Sequence, residues 1–234
     1  MSKEGTSGIT RRSFVYGAGG VAVLLGLGGV VKLVKTESIL RPPGGQDEAS
    51  FISLCIRCEK CREACPRSCI IPAGIESGFI NARTPTLNFK GYDNDRSCDF
   101  CNGDPLCVKA CPTNALKLDE GTKFEDIRMG TVELTTDWCI TYQNITAMCK
   151  SCVDACEFDV MGLEMAVDEN GDPVLDVELK EQMYYPIVKN PEKCTGCGKC
   201  ENVCKSLQVG SLSRTHATNR AIHVITYDAY YASK

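Results

Sequence analysis

Apolar and polar residues alternate over short stretches of the chain that turn signals separate. Residues 115–118 and 131–134 each have the period-two pattern of a half-buried strand. The turn signal at 119–121 joins them, so the pattern predicts a hairpin with a helical insertion over 124–129.

The second half of the chain repeats this arrangement. Residues 162–167 and 174–177 are strand-like and flank a turn signal at 170–173. Residues 184–189 and 220–227 predict two further strands. The pattern therefore predicts an α+β fold of short hairpins, short helices and long loops.

One helix is predicted near the N-terminus of this body. Residues 40–45 have the Pro- and Gly-rich composition of a linker, and residues 47–54 form a short helical segment. Asp47 is its candidate N-cap. We assign 37–54 to a linker and short helix, and 55–234 to the body.

Cysteine is the residue that changes this picture. The 234-residue chain holds 17 cysteines, while 43% of its residues are hydrophobic and 7% aromatic. That cysteine content approaches the level of stapled scaffolds. Sixteen of them fall into four motifs, at 55–65, 98–111, 139–156 and 194–204: Cys55, Cys58, Cys61, Cys65; Cys98, Cys101, Cys107, Cys111; Cys139, Cys149, Cys152, Cys156; Cys194, Cys197, Cys200, Cys204.

The motifs follow the C-x2-C-x2-C-x3-C-P run of bacterial [4Fe–4S] ferredoxins, with variations. Motif two has a wider second gap, and motif three a wider first gap. Glu157 and Lys205 stand where motifs three and four would have the proline. Their recurrence every forty to fifty-five residues, roughly, marks an internal repeat.

Iron–sulfur clusters explain this spacing better than disulfides or zinc. Disulfide scaffolds do not require four cysteines within eleven residues, and zinc sites use two separate cysteine pairs. Three closely spaced cysteines bind one cluster, and the fourth, expected to start a short helix, reaches the other cluster of a pair. The sixteen motif cysteines therefore predict four [4Fe–4S] clusters in two ferredoxin-like modules.

Counting alone does not determine which motifs pair. The predicted hairpin between motifs two and three favours pairing two with three and one with four. On that pairing, Cys204 would complete the cluster of motif one and Cys65 that of motif four. Cys156 would complete the cluster of motif two and Cys111 that of motif three. The alternative pairs motif one with two and motif three with four. Cys69 lies outside the pattern and is expected to be a small buried residue near motif one. The alternative is that Cys69 replaces Cys65 as a cluster ligand.

The first 36 residues have the features of a targeting signal. Arg11 and Arg12 precede Ser13–Val31, an uncharged stretch of 19 residues, as in a twin-arginine export signal. No Ala-x-Ala cleavage site follows, so an uncleaved membrane anchor stays open. The first forty residues hold five basic and two acidic side chains, whereas the whole chain has net charge −4. The acidic body has no basic patch of the kind that binds nucleic acid.

The chain resembles the NapG/MauM-type ferredoxins, exported polyferredoxins of nitrate reductase and methylamine oxidation systems. The matching stretches are Arg11-Arg12-Ser13-Phe14, Leu40-Arg41-Pro42-Pro43-Gly44, Cys65-Pro66, Asp126-Ile127-Arg128-Met129-Gly130 and Cys194-Thr195-Gly196-Cys197-Gly198-Lys199-Cys200. Cys69, the widened motif two and the two missing prolines depart from the family pattern.

The resemblance implies an electron carrier with no catalytic residues. It would stand outside the cytoplasmic membrane and pass electrons from a membrane quinol-oxidising iron–sulfur partner to a downstream reductase or cytochrome. Motif two also resembles the iron–sulfur subunits of molybdopterin oxidoreductases, which is the alternative function. A structural metal or disulfide protein is the alternative from another class.

Overall fold

The computed structural model describes residues 39–90, 96–176, 180–206 and 219–234. The predicted export signal or anchor at 1–36 lies outside these ranges. Within them, no helix combines the length and the apolar character needed to cross a bilayer.

Short elements dominate the described residues. The helices are α1 (Glu48–Leu54), α2 (Lys60–Glu63), α3 (Leu106–Lys109), α4 (Ser151–Asp154), α5 (Lys199–Asn202) and α6 (Tyr227–Ala232). The strands are β1 (Ile70–Pro72), β2 (Pro85–Leu87), β3 (Thr131–Leu134), β4 (Met161–Met165), β5 (Tyr184–Val188) and β6 (Ile222–Ile225). Single 3₁₀ turns occupy Ile75–Ser77, Phe100–Gly103, Phe124–Asp126, Thr136–Trp138 and Pro191–Lys193.

The hairpin predicted between residues 115–118 and 131–134 is wrong. β3 instead pairs antiparallel with β6, with Thr131 opposite Ile225 and Leu134 opposite Ile222. Residues 115–118 form no strand, and the Lys117 N–H donates to the Gly44 carbonyl at 3.1 Å. Ala115, Leu116 and Val132 are buried, and Leu118 and Leu134 are half-buried. The strand partner of residues 131–134 is distant in sequence. The predicted helical insertion is reduced to the 3₁₀ turn at Phe124–Asp126.

The second predicted hairpin is partly confirmed. The turn forms, because the Asp168 carboxylate accepts hydrogen bonds from the N–H groups of Asn170 and Asp172. However, β4 pairs along its whole length with β5, from Met161 opposite Val188 to Met165 opposite Tyr184. The strand predicted over 184–189 is confirmed as β5, and the strand predicted over 220–227 contains β6.

The helix predicted after Asp47 is present as α1, and the Asp47 carboxylate accepts from the Ser50 N–H at 3.3 Å. The preceding segment differs from the linker that its composition predicts. Arg41, Pro42, Pro43 and Gly45 are buried. Composition missed this because prolines and glycines also suit a chain that packs closely without regular structure.

The buried apolar residues form two clusters. The larger contains Phe51, Ile70, Leu87, Phe89 and Leu116, and the smaller contains Val132, Val160, Met161 and Ile222. Both also contain motif cysteines. The core of each half of the body is therefore built directly against its cysteines.

Candidate metal centres

The sixteen motif cysteines line four cavities, four cysteines to each. Every cavity takes the first three cysteines of one motif and the fourth cysteine of another. The first site is lined by Cys55, Cys58, Cys61 and Cys111; the second by Cys98, Cys101, Cys107 and Cys65; the third by Cys139, Cys149, Cys152 and Cys204; the fourth by Cys194, Cys197, Cys200 and Cys156.

This grouping overturns the favoured pairing of motifs. Motif one pairs with motif two, and motif three with motif four, so the alternative pairing is the observed one. The favoured pairing relied on the predicted hairpin, which the structure does not contain. Helix packing agrees with the observed pairing, because α2 packs against α3 and α4 against α5.

Each of these four-residue helices carries the third cysteine of its motif. Each fourth cysteine follows the helix instead of starting it, which corrects the sequence prediction. For example, α2 ends at Glu63, with Ala64 as its C-cap, and Cys65 comes next. One helical turn thus separates two cysteines and directs them into neighbouring cavities.

Left-handed backbone conformations curve the cysteine loops of motifs one and four. Arg57 (φ 56°) and Glu59 (φ 62°) flank Cys58, and Gly196 (φ 75°) and Gly198 (φ 76°) stand at the equivalent positions around Cys197. Glycine adopts this conformation without strain, whereas Arg57 and Glu59 do not. Hydrogen bonds hold both: Arg57 donates to the carbonyls of Ile80 and Ala82, and the Glu59 carboxylate accepts from Arg62 and Arg83.

Burial dominates the acid–base behaviour of the thiols. It raises the pKa of Cys107 and of Cys152 to about 12, and the pKa of Cys61 and Cys197 to about 11. A buried thiolate without a counter-charge is unfavourable, so these groups need a cation to give up their protons. Such thiols suit a metal centre better than an exposed nucleophile.

Backbone N–H groups approach the fourth cysteines of motifs two and three. The Leu116 N–H donates to Cys111 Sγ at 3.5 Å, and the Val160 N–H donates to Cys156 Sγ at 3.4 Å. The Ser206 hydroxyl lies 3.3 Å from Cys204 Sγ. Hydrogen bonds of this kind tune the potential of a sulfur-ligated cluster.

Cys69, the cysteine outside the motifs, is buried at the second site. Its Sγ lies 3.6 Å from Cys65 Sγ. A hydrogen bond from Cys69 lowers the pKa of Cys65 to about 6 and lowers the pKa of Cys98, while the pKa of Cys69 itself is raised. The prediction of a small buried residue near motif one is confirmed. Its contact with a cysteine of motif two had no signal in the sequence.

The two halves of the body meet between the second and fourth sites. The Cys98 N–H donates to the Cys197 carbonyl at 2.8 Å. The Phe124 ring stacks on Phe100 at 5.3 Å and meets the edge of Phe158 at 5.5 Å, between ring centres. Phe100 lines the second cavity and Phe158 the fourth. Sequence reasoning missed this aromatic bridge, because the three rings are far apart along the chain.

The donor sets fit sulfur-ligated clusters. All 17 cysteines lie within the described residues, and each is a free thiol. In this part of the chain, no three His, Cys, Asp or Glu side chains come close enough together to hold a single metal ion. The four motif cysteines of each site instead stand further apart, around one shared cavity. A [4Fe–4S] cluster binds one cysteine at each of four irons, so it requires this wider spacing.

Comparison with known proteins agrees with the cysteine chemistry. Residues 147–207 match the family model of a 4Fe-4S dicluster domain, and residues 52–70 match that of a 4Fe-4S binding domain. The dicluster match includes the last three cysteines of motif three and all of motif four, the two motifs that share cavities in the structure. No solved structure matches the chain.

Relatives align with most of the chain. The ferredoxin-type protein NapG of Haemophilus influenzae is 35% identical over 190 residues, covering 80% of this chain and 63% of the relative. NapG of Escherichia coli is 33% identical over 196 residues, covering 82% and 78%. The methylamine utilization ferredoxin-type protein MauM of Methylophilus methylotrophus is 35% identical over 173 residues, covering 73% and 68%. The chain therefore spans less than two thirds of the Haemophilus relative and more of the other two.

The four cysteine-lined cavities and the short α+β elements around them define an iron–sulfur protein of the ferredoxin type. The relatives are named as ferredoxin-type proteins, and the 4Fe-4S domains support a role in electron transfer. The sequence matches are more specific than this class. The chain belongs to the family of the ferredoxin-type proteins NapG and MauM.

Proposed function

We propose that the protein is an electron relay with four [4Fe–4S] clusters, held by the sixteen motif cysteines in the four sets described above. The observation that carries the proposal is the exchange of fourth cysteines, because each cavity draws ligands from two motifs. Bacterial two-cluster ferredoxins exchange their fourth cysteines in this way. When bound, the clusters would supply one-electron redox chemistry.

The packing of the chain supports a linear order for the sites. The first and second sites share the cysteines of motifs one and two, and the third and fourth share those of motifs three and four. The Cys98–Cys197 hydrogen bond and the Phe124 ring join the second site to the fourth. We infer the spatial order first, second, fourth, third, which differs from the order of the motifs along the chain.

The first site is open to a redox partner. Cys58 is exposed. Ile56, which also lines the first site, is 63% exposed, and Ile75 and Phe79, shortly before Ile80, are 74% and 82% exposed. Arg57 fastens the loop that carries Phe79 to the cysteine loop through the Ile80 and Ala82 carbonyls. Exposed apolar side chains beside a redox centre favour a protein interface at this end of the relay.

We propose a place outside the cytoplasmic membrane for this relay. The twin arginine and apolar stretch of residues 1–36 support export, with the segment retained as an anchor or removed. The partners would be a membrane quinol-oxidising iron–sulfur protein and a downstream reductase or cytochrome. Purification with a large catalytic chain would instead favour the alternative, the iron–sulfur subunit of a molybdopterin oxidoreductase.

Iron content and spectroscopy test the four clusters. Protein isolated without oxygen should be brown, bleach with dithionite, and contain about sixteen irons and sixteen inorganic sulfides per chain. A colourless, zinc-loaded or disulfide-bonded product would overturn the proposal. About eight irons would reduce the relay to one pair of clusters and contradict the assignment of all sixteen cysteines.

The shared cavities are tested by comparing two substitutions. Cys111→Ser and Cys58→Ser should alter the electron paramagnetic resonance signal of the same cluster, because both cysteines line the first site. Cys107→Ser is the control and should alter the signal of a different cluster, that of the second site. If Cys111→Ser and Cys107→Ser changed the same signal, the cysteine sets proposed here would be wrong.

A further inference from the structure

The second site has five cysteines, whereas the other three sites have four. The fifth is Cys69, which is 2% exposed and lines the same cavity as Cys65, Cys98, Cys101 and Cys107. The sixteen motif cysteines already supply four ligands to each site. Cys69 is therefore a thiol in contact with a complete ligand set, and a role other than ligation must explain its place there.

The backbone holds Cys69 firmly in this position. The next residue, Ile70, begins β1 and pairs with Leu87 on β2. The Cys69 carbonyl accepts a hydrogen bond from the Asn88 N–H at 2.8 Å, which extends the ladder by one step. Leu87 also donates to the Leu40 carbonyl, so the buried segment 40–45 secures this edge. These backbone hydrogen bonds fix the position of Cys69 and keep its thiol within reach of the cysteines of the second site.

The direction of the hydrogen bond follows from ligation. Cys69 Sγ and Cys65 Sγ are 3.6 Å apart, and either thiol could donate while both are protonated. A cysteine bound to iron is a thiolate and has no proton left to donate. Once Cys65 binds the cluster, the thiol proton of Cys69 is the one that remains between these two sulfurs.

We propose that Cys69 donates its S–H to the ligand sulfur of Cys65 and raises the reduction potential of the second site. A donor beside a ligand sulfur stabilises the extra negative charge that the site carries after reduction. Cys69 is thus a positioning residue, because it acts on the redox centre through one of its ligands. The inference rests on the proposed four-cluster function. It assigns to the cluster of the second site a higher reduction potential than it would have without Cys69.

A redox titration followed by electron paramagnetic resonance tests this role. Cys69→Ala should lower the midpoint potential of one cluster and leave the other three unchanged, with iron content still at about sixteen per chain. Cys69→Ser keeps a hydrogen-bond donor and should restore most of the shift. Cys69→Val fills the space without a donor, so it should behave like Cys69→Ala if the hydrogen bond, and not packing, is responsible.

Each other outcome has a definite meaning. Unchanged potentials in Cys69→Ala, or rescue by Cys69→Val, would overturn the hydrogen-bond role. Loss of about four irons in Cys69→Ala would show that Cys69 is itself a ligand, and would also overturn it. A wild-type protein without about sixteen irons would contradict the four-cluster function first, so the two failures are distinguishable.

Discussion

Arg41 connects three segments of the N-terminal half through a single guanidinium group. It pairs with Glu48 on α1 and donates to Thr84 Oγ1 at 2.7 Å and to Asn81 Oδ1 at 3.0 Å. It also lies 4.5 Å from the centre of the Phe51 ring. Arg41 is 3% exposed, and its hydrogen bonds to Thr84 and Asn81 are buried, whereas the Glu48 side chain is half exposed. Arg41 therefore explains why a segment with the composition of a linker is part of the core.

Replacement of Arg41 should cost more stability than replacement of an exposed basic residue. Arg41→Ala leaves buried acceptors without a donor, so we expect a loss of about 3 kcal/mol, roughly 6–12 °C in the midpoint of thermal unfolding. Arg41→Lys should recover only part of this, because an ammonium group cannot reproduce the planar fork. The control is Lys123→Ala, which breaks the exposed pair with Glu125 and should cost less than about 1 kcal/mol. Equal losses of stability in Arg41→Ala and Lys123→Ala would show that the hydrogen bonds of Arg41 do not stabilise the fold more than an exposed ion pair does.

Cysteine spacing predicts which residues gather at the candidate metal centres, and the sixteen motif cysteines do line four cavities in the structure. Cysteine spacing reflects a covalent requirement of the cluster, so it survives in the sequence even where motifs two and three are stretched. The neighbours of the cysteines have no such signature. Cys69 and Cys98 line the same cavity, and the Phe124 ring meets the edge of Phe158. Both pairs are distant in sequence, so tertiary structure alone brings them together.

At the scale of elements, the loop of motif four depends on a close approach between two backbones. The Thr195 carbonyl accepts from the Met129 N–H at 3.0 Å, next to Gly196. A Cβ atom on Gly196 would lie 2.5 Å from the backbone nitrogen of Gly130. The contact joins the loop of the fourth site to the residues that lead into β3, and only glycine permits it.

Two glycine substitutions distinguish the steric effect of this contact on stability from the effect of backbone strain alone. Gly196 and Gly171 both have positive φ, but a Cβ on Gly171 would meet no atom within 4 Å. Gly171→Ala should therefore cost only the conformational strain, about 1–2 kcal/mol. Gly196→Ala adds a backbone clash, so we expect a larger loss of stability and a lower iron content. Thermal unfolding and iron analysis measure both effects. Equal stability and full iron in both variants would contradict the close approach at the fourth site.

The failed hairpin shows what local pattern cannot reveal about elements. Residues 131–134 do form a strand, as their alternation predicts, yet β6 lies about ninety residues further on. A turn signal indicates where a chain reverses, but strand pairing is decided by which buried faces meet. Because the choice of motif pairing rested on that hairpin, one wrong strand partner also led to the wrong grouping of cysteines.

At the scale of the whole molecule, the clusters would serve as the centre of each half. The apolar core is split into two groups, and cysteines belong to both. Six cysteines of the motifs are too buried to exchange cavities without opening the fold, among them Cys98, Cys107, Cys139 and Cys152. The cores alone offer limited hydrophobic stabilisation, so folding and cluster binding should be coupled.

Removal of the clusters tests this coupling. We expect an iron chelator under reducing, oxygen-free conditions to bleach the protein and to abolish its cooperative thermal unfolding. Thiols must lose protons to bind iron, and burial raises the pKa of Cys107 and Cys152 to about 12. Protons therefore compete with the cluster, and bleaching should be faster at about pH 6 than at about pH 8. Absorbance and circular dichroism, recorded together, should decay in parallel, and iron with sulfide should restore both signals. A bleached protein that kept its circular dichroism and its unfolding midpoint would show instead that the polypeptide folds without clusters.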